Sequence, residues 1–383
     1  MNVPEATMTG GREEMSMISK EYTVRFVTPA FLGDAEQRGA WRTPPFKTLL
    51  RQWWRVAVAK QCNRDWAVIR EKEGRLFGHA WLDDQGKKWA MKSQMQVKLD
   101  NWRSGTKTVL EKEETIRHPE VSMKDGKVDP LLYLGYGPLT YDKETKATEL
   151  KMQNVIEAND TAQIAMIWPN PFYEEMELTL KLVQTFGTIG GRSRNGWGSV
   201  TLAGNGIPSA QVILEDAFPV DAITRPLEDC LKEEWPHAIG EDSKGVLCWK
   251  TKAVFDSWKR TMRELARIKI KFRTGLTFKS NDKINPRLND RHILGYPVTH
   301  HGVDAWSKER LANQLRFKVL QSDEKKYIGI AFQLPCGLPF QLIAQLKEKS
   351  DLDIVRRQQS IWRNVHEVLD VEMDRIKAKG GKA

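Results

Sequence analysis

No apolar run in this 383-residue chain approaches the roughly 20 residues that a membrane-spanning helix needs, so neither a membrane span nor a membrane partner is expected. The first twenty residues carry Glu5, Glu13 and Glu14 and no apolar block. That composition excludes a signal peptide, and we read 1–20 as a mobile tail and the compartment as the cytoplasm. Cysteine is scarce. The four present (Cys62, Cys230, Cys248 and Cys336) are far apart and form no Cys-x-x-Cys, which points to reduced core thiols rather than a disulfide framework or a zinc site. His300 and His301 lie near His292, but no carboxylate or cysteine completes a metal-binding set, so no metal or cofactor is expected. The nucleotide signatures Gly-x-Gly-x-x-Gly and Gly-x-x-x-x-Gly-Lys-Ser/Thr are missing as well.

Positive charge and tryptophan are what the chain has. Sixty Lys and Arg stand against 50 Asp and Glu, a net charge of +10 that favours anionic partners without choosing among them. Fourteen tryptophans exceed what a core of this size demands and leave candidates for base stacking. The densest motif covers 186–200, where Gly187, Gly190, Gly191, Gly196 and Gly198 alternate with Arg192, Ser193, Arg194 and Trp197. Glycine lets a main chain adopt positive φ and approach a partner closely. Arginine supplies bidentate donors for phosphate, and an indole supplies a stacking face. A glycine-rich turn with merely solvated arginines is the alternative.

A second basic feature lies on a helix expected over 43–60, with Thr43 as a cap and prolines in its first turn. At about 100° per residue, Phe46, Leu49, Leu50, Trp53 and Ala57 share one side. Lys47, Arg51 and Arg55 form an i, i+4, i+8 ridge beside it, and Trp54 sits at the boundary. Three like charges in a row repel modestly, and a polyanion lying along them would relieve that; a solvated face is the alternative. Elsewhere, strands are expected at 22–28, 91–99, 163–168, 199–202, 316–320 and 327–333, and helices at 65–75, 174–185, 250–266 and through much of 338–379. The stretch 102–129 reads as a polar insertion, 131–141 as strand or turn, 204–209 as a hinge, and 287–297 as a second basic loop. Antiparallel-type strands mixed with helices in both halves favour an α+β class over a doubly wound sheet.

Three stretches together resemble one family: Thr28-Pro-Ala-Phe-Leu-Gly33 with Arg42-Thr-Pro-Pro-Phe-Lys-Thr-Leu-Leu-Arg-Gln-Trp-Trp-Arg55, then Leu76-Phe-Gly78, then the glycine loop. They are similar to the RAMP superfamily of CRISPR RNA-binding proteins, and within it to the first subunit of the type III-B (Cmr) effector complex. Arg291-His-Ile-Leu-Gly-Tyr-Pro297 carries a weaker likeness to the second half. The resemblance implies two tandem ferredoxin-like (RRM-like) modules with helical and loop insertions, at 21–203 and 210–383, the second ending in a helical segment. It also implies residence near the 3′ end of a guide RNA, with target RNA and other RAMP subunits as partners. On this reading Arg42, Lys47, Arg51, Trp54 and Arg55 of the first helix are candidate RNA-binding residues. Gly190, Gly191, Arg192, Ser193, Arg194 and Trp197 of the loop join them in one trough, and Arg291 and His292 add a further contact.

Relatives that cleave RNA carry an aspartate just before the first-helix motif, and here 38–42 holds no acid. Asp34 lies earlier in the loop, where aspartate commonly forms turns. His79 and His118 have no companion at an informative spacing. A noncatalytic guide-RNA-binding subunit is therefore the leading reading. A metal-independent endoribonuclease that processes CRISPR repeat RNA, and a scaffold whose basic surface meets acidic proteins, stay open.

Overall fold

The computed structural model describes residues 16–84, 86–106, 113–121, 124–151, 154–210, 220–276, 278, 287–298, 301–323 and 325–376. The class is α+β, built on small antiparallel sheets. The first half contributes β1 (Met17–Phe26), α1 (Thr43–Ala59), α2 (Trp66–Phe77), β2 (Gln96–Leu99), a short α3 (Pro130–Gly135), β3 (Thr161–Pro169), α4 (Tyr173–Phe186) and β4 (Val200–Ala203). Its sheet runs β4-β1-β3-β2 with every neighbour antiparallel. The second half contributes β5 (Cys248–Thr251), α5 (Trp258–Thr274), α6 (Asp290–Leu294), β6 (Leu315–Asp323), β7 (Lys326–Gln333), α7 (Gln358–Glu372) and β8 (Met373–Arg375). Its sheet runs β6-β7-β5-β8, again antiparallel. Numbering the four strands within each half gives one order twice: 4-1-3-2 in the first and its mirror listing, 2-3-1-4, in the second.

The halves are interlocked. Cross-strand partners share a sheet face, so β6 and β7 present Arg316/Phe332, Lys318/Ile330 and Leu320/Ile328 on one side. Phe317/Ala331 and Val319/Gly329 lie on the other. The second set packs with α5 and α7 of its own half. The first set, Lys318 and Arg316 aside, joins the core of α1, α2 and α4, where Trp53 lies 6.0 Å from Phe332 and 5.2 Å from Phe186. Both faces of this sheet are therefore buried. Lys318 is caught on the covered face with no carboxylate. Its Nζ donates to the carbonyls of Val183 (3.2 Å) and Gln184 (2.6 Å), the negative end of α4. Burial holds that amine well below the ordinary lysine value.

Several sequence expectations change on this frame. β1 starts at Met17, because residues 17–20 of the expected tail pair with 166–169 of β3; 1–15 lie outside the described residues. Arg42, not Thr43, is the N-cap of α1, and no side chain bonds the first turn, which instead holds the prolines. The 131–141 stretch begins as α3, whose first turn is capped by the Asp129 carboxylate accepting from Leu131 and Leu132 N–H. The helix expected at 250–266 is displaced: 248–251 is β5, and α5 begins after the Ser257 cap and continues to Thr274. Its early residues pair as strand because the apolar pattern that marks the helix starts only at Trp258.

The second basic loop is a buried turn of helix. Arg291 is walled in and ion-paired to Glu120 (2.7 Å), with Phe278 under its guanidinium. His292 is fully buried; its Nδ1 accepts from the Asn289 N–H (2.9 Å) and its Nε2 donates to the His301 carbonyl (3.1 Å). Both are structural, and neither presents a surface to RNA. No helix among the described residues is long and apolar enough to cross a membrane.

Burial pulls His292 to about 4, and likewise His366, packed on Trp249 and Trp362. A buried histidine held below its ordinary 6.5 stabilises the fold fully above that pH and progressively less as pH falls toward 4, because only the unfolded chain takes up the proton readily. Urea unfolding at pH 7 and pH 5 is expected to show roughly 2 kcal/mol less stability per histidine at pH 5. An unchanged free energy of unfolding contradicts this.

Candidate nucleic-acid groove

The glycine loop leaves the end of α4 and crosses to the second half. Its conformation needs glycine at specific places. Gly198 has φ 61°, and a Cβ there would overlap the Ile189 carbonyl; at Gly190 (φ 94°) it would strike the Phe31 carbonyl. Main-chain bonds then fix the loop: Gly191 N–H to Phe31 O (2.9 Å), Gly198 N–H to Pro29 O (2.9 Å) and Phe317 N–H to Arg194 O (2.9 Å). The Ser199 hydroxyl accepts from Val319 N–H (3.0 Å). Asn195 donates to the Leu134 carbonyl (2.7 Å) and accepts from Lys269 Nζ (2.8 Å). Trp197 plugs the underside, fully buried between Phe31 (4.8 Å) and Trp258 (6.0 Å).

Above this plug lies a groove of about 930 Å³. Its walls come from the loop (Gly190 to Asn195), from Tyr133 and Tyr136 around the end of α3, from the last turns of α5, from 295–298 after α6, and from 310–316 leading into β6; Gln52 of α1 closes one side. Among the described residues six cations line it, Arg192, Arg194, Lys269, Arg273, Arg310 and Arg316, and no carboxylate does. Lys269 is 9% exposed and Arg316 7%. Burial lowers Lys269 well below its ordinary value, and Arg273 and Arg192 push the same way. Burial and then Arg194 pull Arg316 to about 9, which leaves it charged at neutral pH. Arg192 and Arg194 keep solvent access, yet partial burial against the groove wall lowers both. Gly137, at φ 121°, leaves the space that the Arg192 guanidinium occupies. Tyr136 is 52% exposed in the same wall and offers a flat apolar face. The chemistry of such a lining suits a polyanion with an aromatic group beside it.

No family model matches the chain, and neither does any curated protein. Among solved structures it is similar to Cmr1 from Pyrococcus furiosus in its apo form, at 13% identity and a TM-score of 0.39, over 90% of this chain and 96% of that one. It is also similar to a chain of the type III-B Cmr-beta complex bound to cognate target RNA and AMPPnP in the presence of ssDNA (12%, TM-score 0.41, 92% and 98% covered). A third is a chain of Cmr-beta bound to cognate target RNA (10%, TM-score 0.41, 90% and 99% covered). These neighbours are of the family that the sequence motifs resemble. At such identities and TM-scores the likeness does not by itself assign a function to this chain.

Of the residues singled out from sequence, the groove brings together Gly190, Arg192, Ser193 and Arg194, with Gly191 packed directly behind on Phe31. The ridge on α1 does not reach it. Arg51 and Arg55 line a separate recess of about 300 Å³ and converge on Glu73 of α2, which is 3% exposed. Arg51 Nε donates to that carboxylate at 2.9 Å, and Arg55 grips both its oxygens. One carboxylate thus sits between Arg51 and Arg55 and offsets part of their charge, which eases their mutual repulsion without a polyanion. Lys47 donates to the Ser93 hydroxyl (2.6 Å), and Arg42 to the Gly33 carbonyl. Trp54 is fully buried, its indole N–H on Glu175 (3.1 Å). Neither it nor Trp197 is a stacking platform. Asp34 is spent on its own turn, accepting from the N–H of Glu36 (3.0 Å) and Arg38 (2.8 Å), and His118 Nδ1 accepts from Glu120 N–H (3.3 Å). His300 lies outside the described residues.

Lys269, Arg273, Arg316 and Tyr136 went unread. The first two are an i, i+4 pair that appears once α5 is run to its end. Arg316 and Lys318 alternate with Leu315, Phe317 and Val319, so a strand with two cations on one face was the available signal. Because Glu73 holds the ridge and, among the described residues, no acid holds the loop, removing Glu73 and removing the loop arginines should differ in their cost to the fold. Glu73→Ala is expected to cost roughly 1–3 kcal/mol of stability. Arg192→Ala with Arg194→Ala should leave stability within about 0.5 kcal/mol. Chemical denaturation of the two variants checks both.

Proposed function

We propose that this chain is a noncatalytic RNA-binding subunit of a type III-B (Cmr) CRISPR effector complex, a RAMP protein that holds the guide RNA near its 3′ end. The observation that carries this is a groove whose described lining has six cations, no acid and an exposed tyrosine in its wall. Guanidinium and ammonium groups take backbone phosphates, and a tyrosine face stacks any base, so binding tolerates the variable sequence of a guide. Target RNA and other RAMP subunits are the partners, in the cytoplasm. The twofold occurrence of four strands arranged 4-1-3-2, with helices inserted between them, supports reading each half, 21–203 and 210–383, as a ferredoxin-like module, the first extended back to Met17. Among the described residues the groove lining holds neither histidine nor carboxylate, which favours holding RNA over cutting it.

Removing two phosphate contacts from a single strand lowers the log–log salt slope by about 1.4, at about 0.7 per contact. Arg192→Ala with Arg194→Ala is therefore expected to weaken RNA binding and flatten its salt dependence by that amount in fluorescence anisotropy. A folded double variant with wild-type affinity and slope rejects the groove as the site. Purified protein incubated with labelled repeat RNA in EDTA is expected to leave it intact; a discrete cleavage product favours the endonuclease reading.

A further inference from the structure

The floor of the groove is more strongly charged than a passing RNA backbone requires. Two groups of cations line it, Arg316 beside Arg194 and Lys269 beside Arg192 and Arg273, and among the described residues no carboxylate figures among the charges acting on Arg192, Arg194, Lys269 or Arg316. Arg316 is the informative member. It lies on the covered face of β6, two residues from Lys318, and is 7% exposed. Lys318 is satisfied by two helix carbonyls, whereas Arg316 Nε is buried without a hydrogen-bond partner. The Nε of Arg42, Arg263 and Arg291 is buried unpaired as well, but those guanidiniums bond Gly33, Glu114 and Glu120 through their other nitrogens, whereas Arg316 borders the groove and is open to an acceptor from a ligand.

We infer that this floor receives the terminal phosphomonoester of an RNA strand, a deeper version of the RNA reading on which it rests. A backbone diester brings one negative charge and two free oxygens to a point. A terminal phosphate brings a charge of about −1.5 to −2 at neutral pH and three acceptor oxygens. That matches a converging set of guanidiniums, which bind such oxygens in paired bonds. The volume of about 930 Å³ exceeds what one phosphate fills and lies within the range of about 300–1,000 Å³ typical of small-ligand pockets. The terminal nucleoside then has room beside Tyr136.

The test compares one short RNA with hydroxyls at both ends, with a 5′-phosphate, and with a 3′-phosphate, by anisotropy on the full chain. One phosphorylated form is expected to bind about tenfold tighter or more, as one or two charge-assisted bonds supply. Which end gives the gain identifies the terminus. The gain should shrink at pH 5, where the monoester carries a single charge, and disappear in Arg316→Gln. If Arg316→Gln does not fold, Arg194→Gln, at an exposed position, must reduce the gain instead. Equal affinity for all three RNAs, with an intact salt slope, overturns the terminal-phosphate inference and leaves the RNA reading standing. No binding of any of them overturns the RNA reading itself.

Discussion

A sheet buried on both faces must find a partner for every polar side chain it carries, and that constraint on β6 and β7 organises the rest of the molecule. One face is covered by the helices of its own half, the other by α1 and α4 of the first. Two cations, Arg316 and Lys318, alternate on the covered face. Lys318 is close enough to the end of α4 to use its free carbonyls. Arg316 is one step further along and reaches the edge of the covered area, where the glycine loop is stitched to Phe317 and Val319. The groove begins where the burial ends.

The same stitching explains why a loop rich in glycine holds arginines in place. Its main chain is bonded to 29–31 on one side and to β6 on the other, and Trp197 anchors it from below. Arg192 and Arg194 are therefore presented from a rigid support. Rigid cations near one another repel, and the fold accepts that cost here while avoiding it on α1, where Glu73 sits between Arg51 and Arg55. Local net charge separates the two clusters: Arg51 and Arg55 close on a carboxylate in the recess, while the six cations of the groove meet none among the described residues.

Much of the architecture was legible in sequence because it follows local periodicity. β3, α2, α4, β6 and β7 lie within a few residues of where alternation and helical spacing place them, with the Asp65 cap and the positive-φ Gly78 bounding α2. The glycine loop was legible too, since few other roles ask for so many glycines among arginines. The ridge was visible, but its partner was not: Glu73 lies 18 and 22 residues away on another helix, and spacing along one helix cannot reveal a countercharge supplied by its neighbour. Arg291 and His292 looked like a basic loop because composition does not report burial.

The sequence by itself determined the α+β class, the positions of several strands and helices, and which residues carry positive charge, because each depends on neighbours a few positions apart. Only tertiary structure decided which charges are spent. Pairing of Arg51 with Glu73, burial of Trp54 and Trp197, and the placing of Arg194 beside Arg316 and of Arg192 beside Lys269 and Arg273 all join residues far apart in the chain. Their availability to a ligand is set by packing between the halves, and packing is not a property of any local stretch.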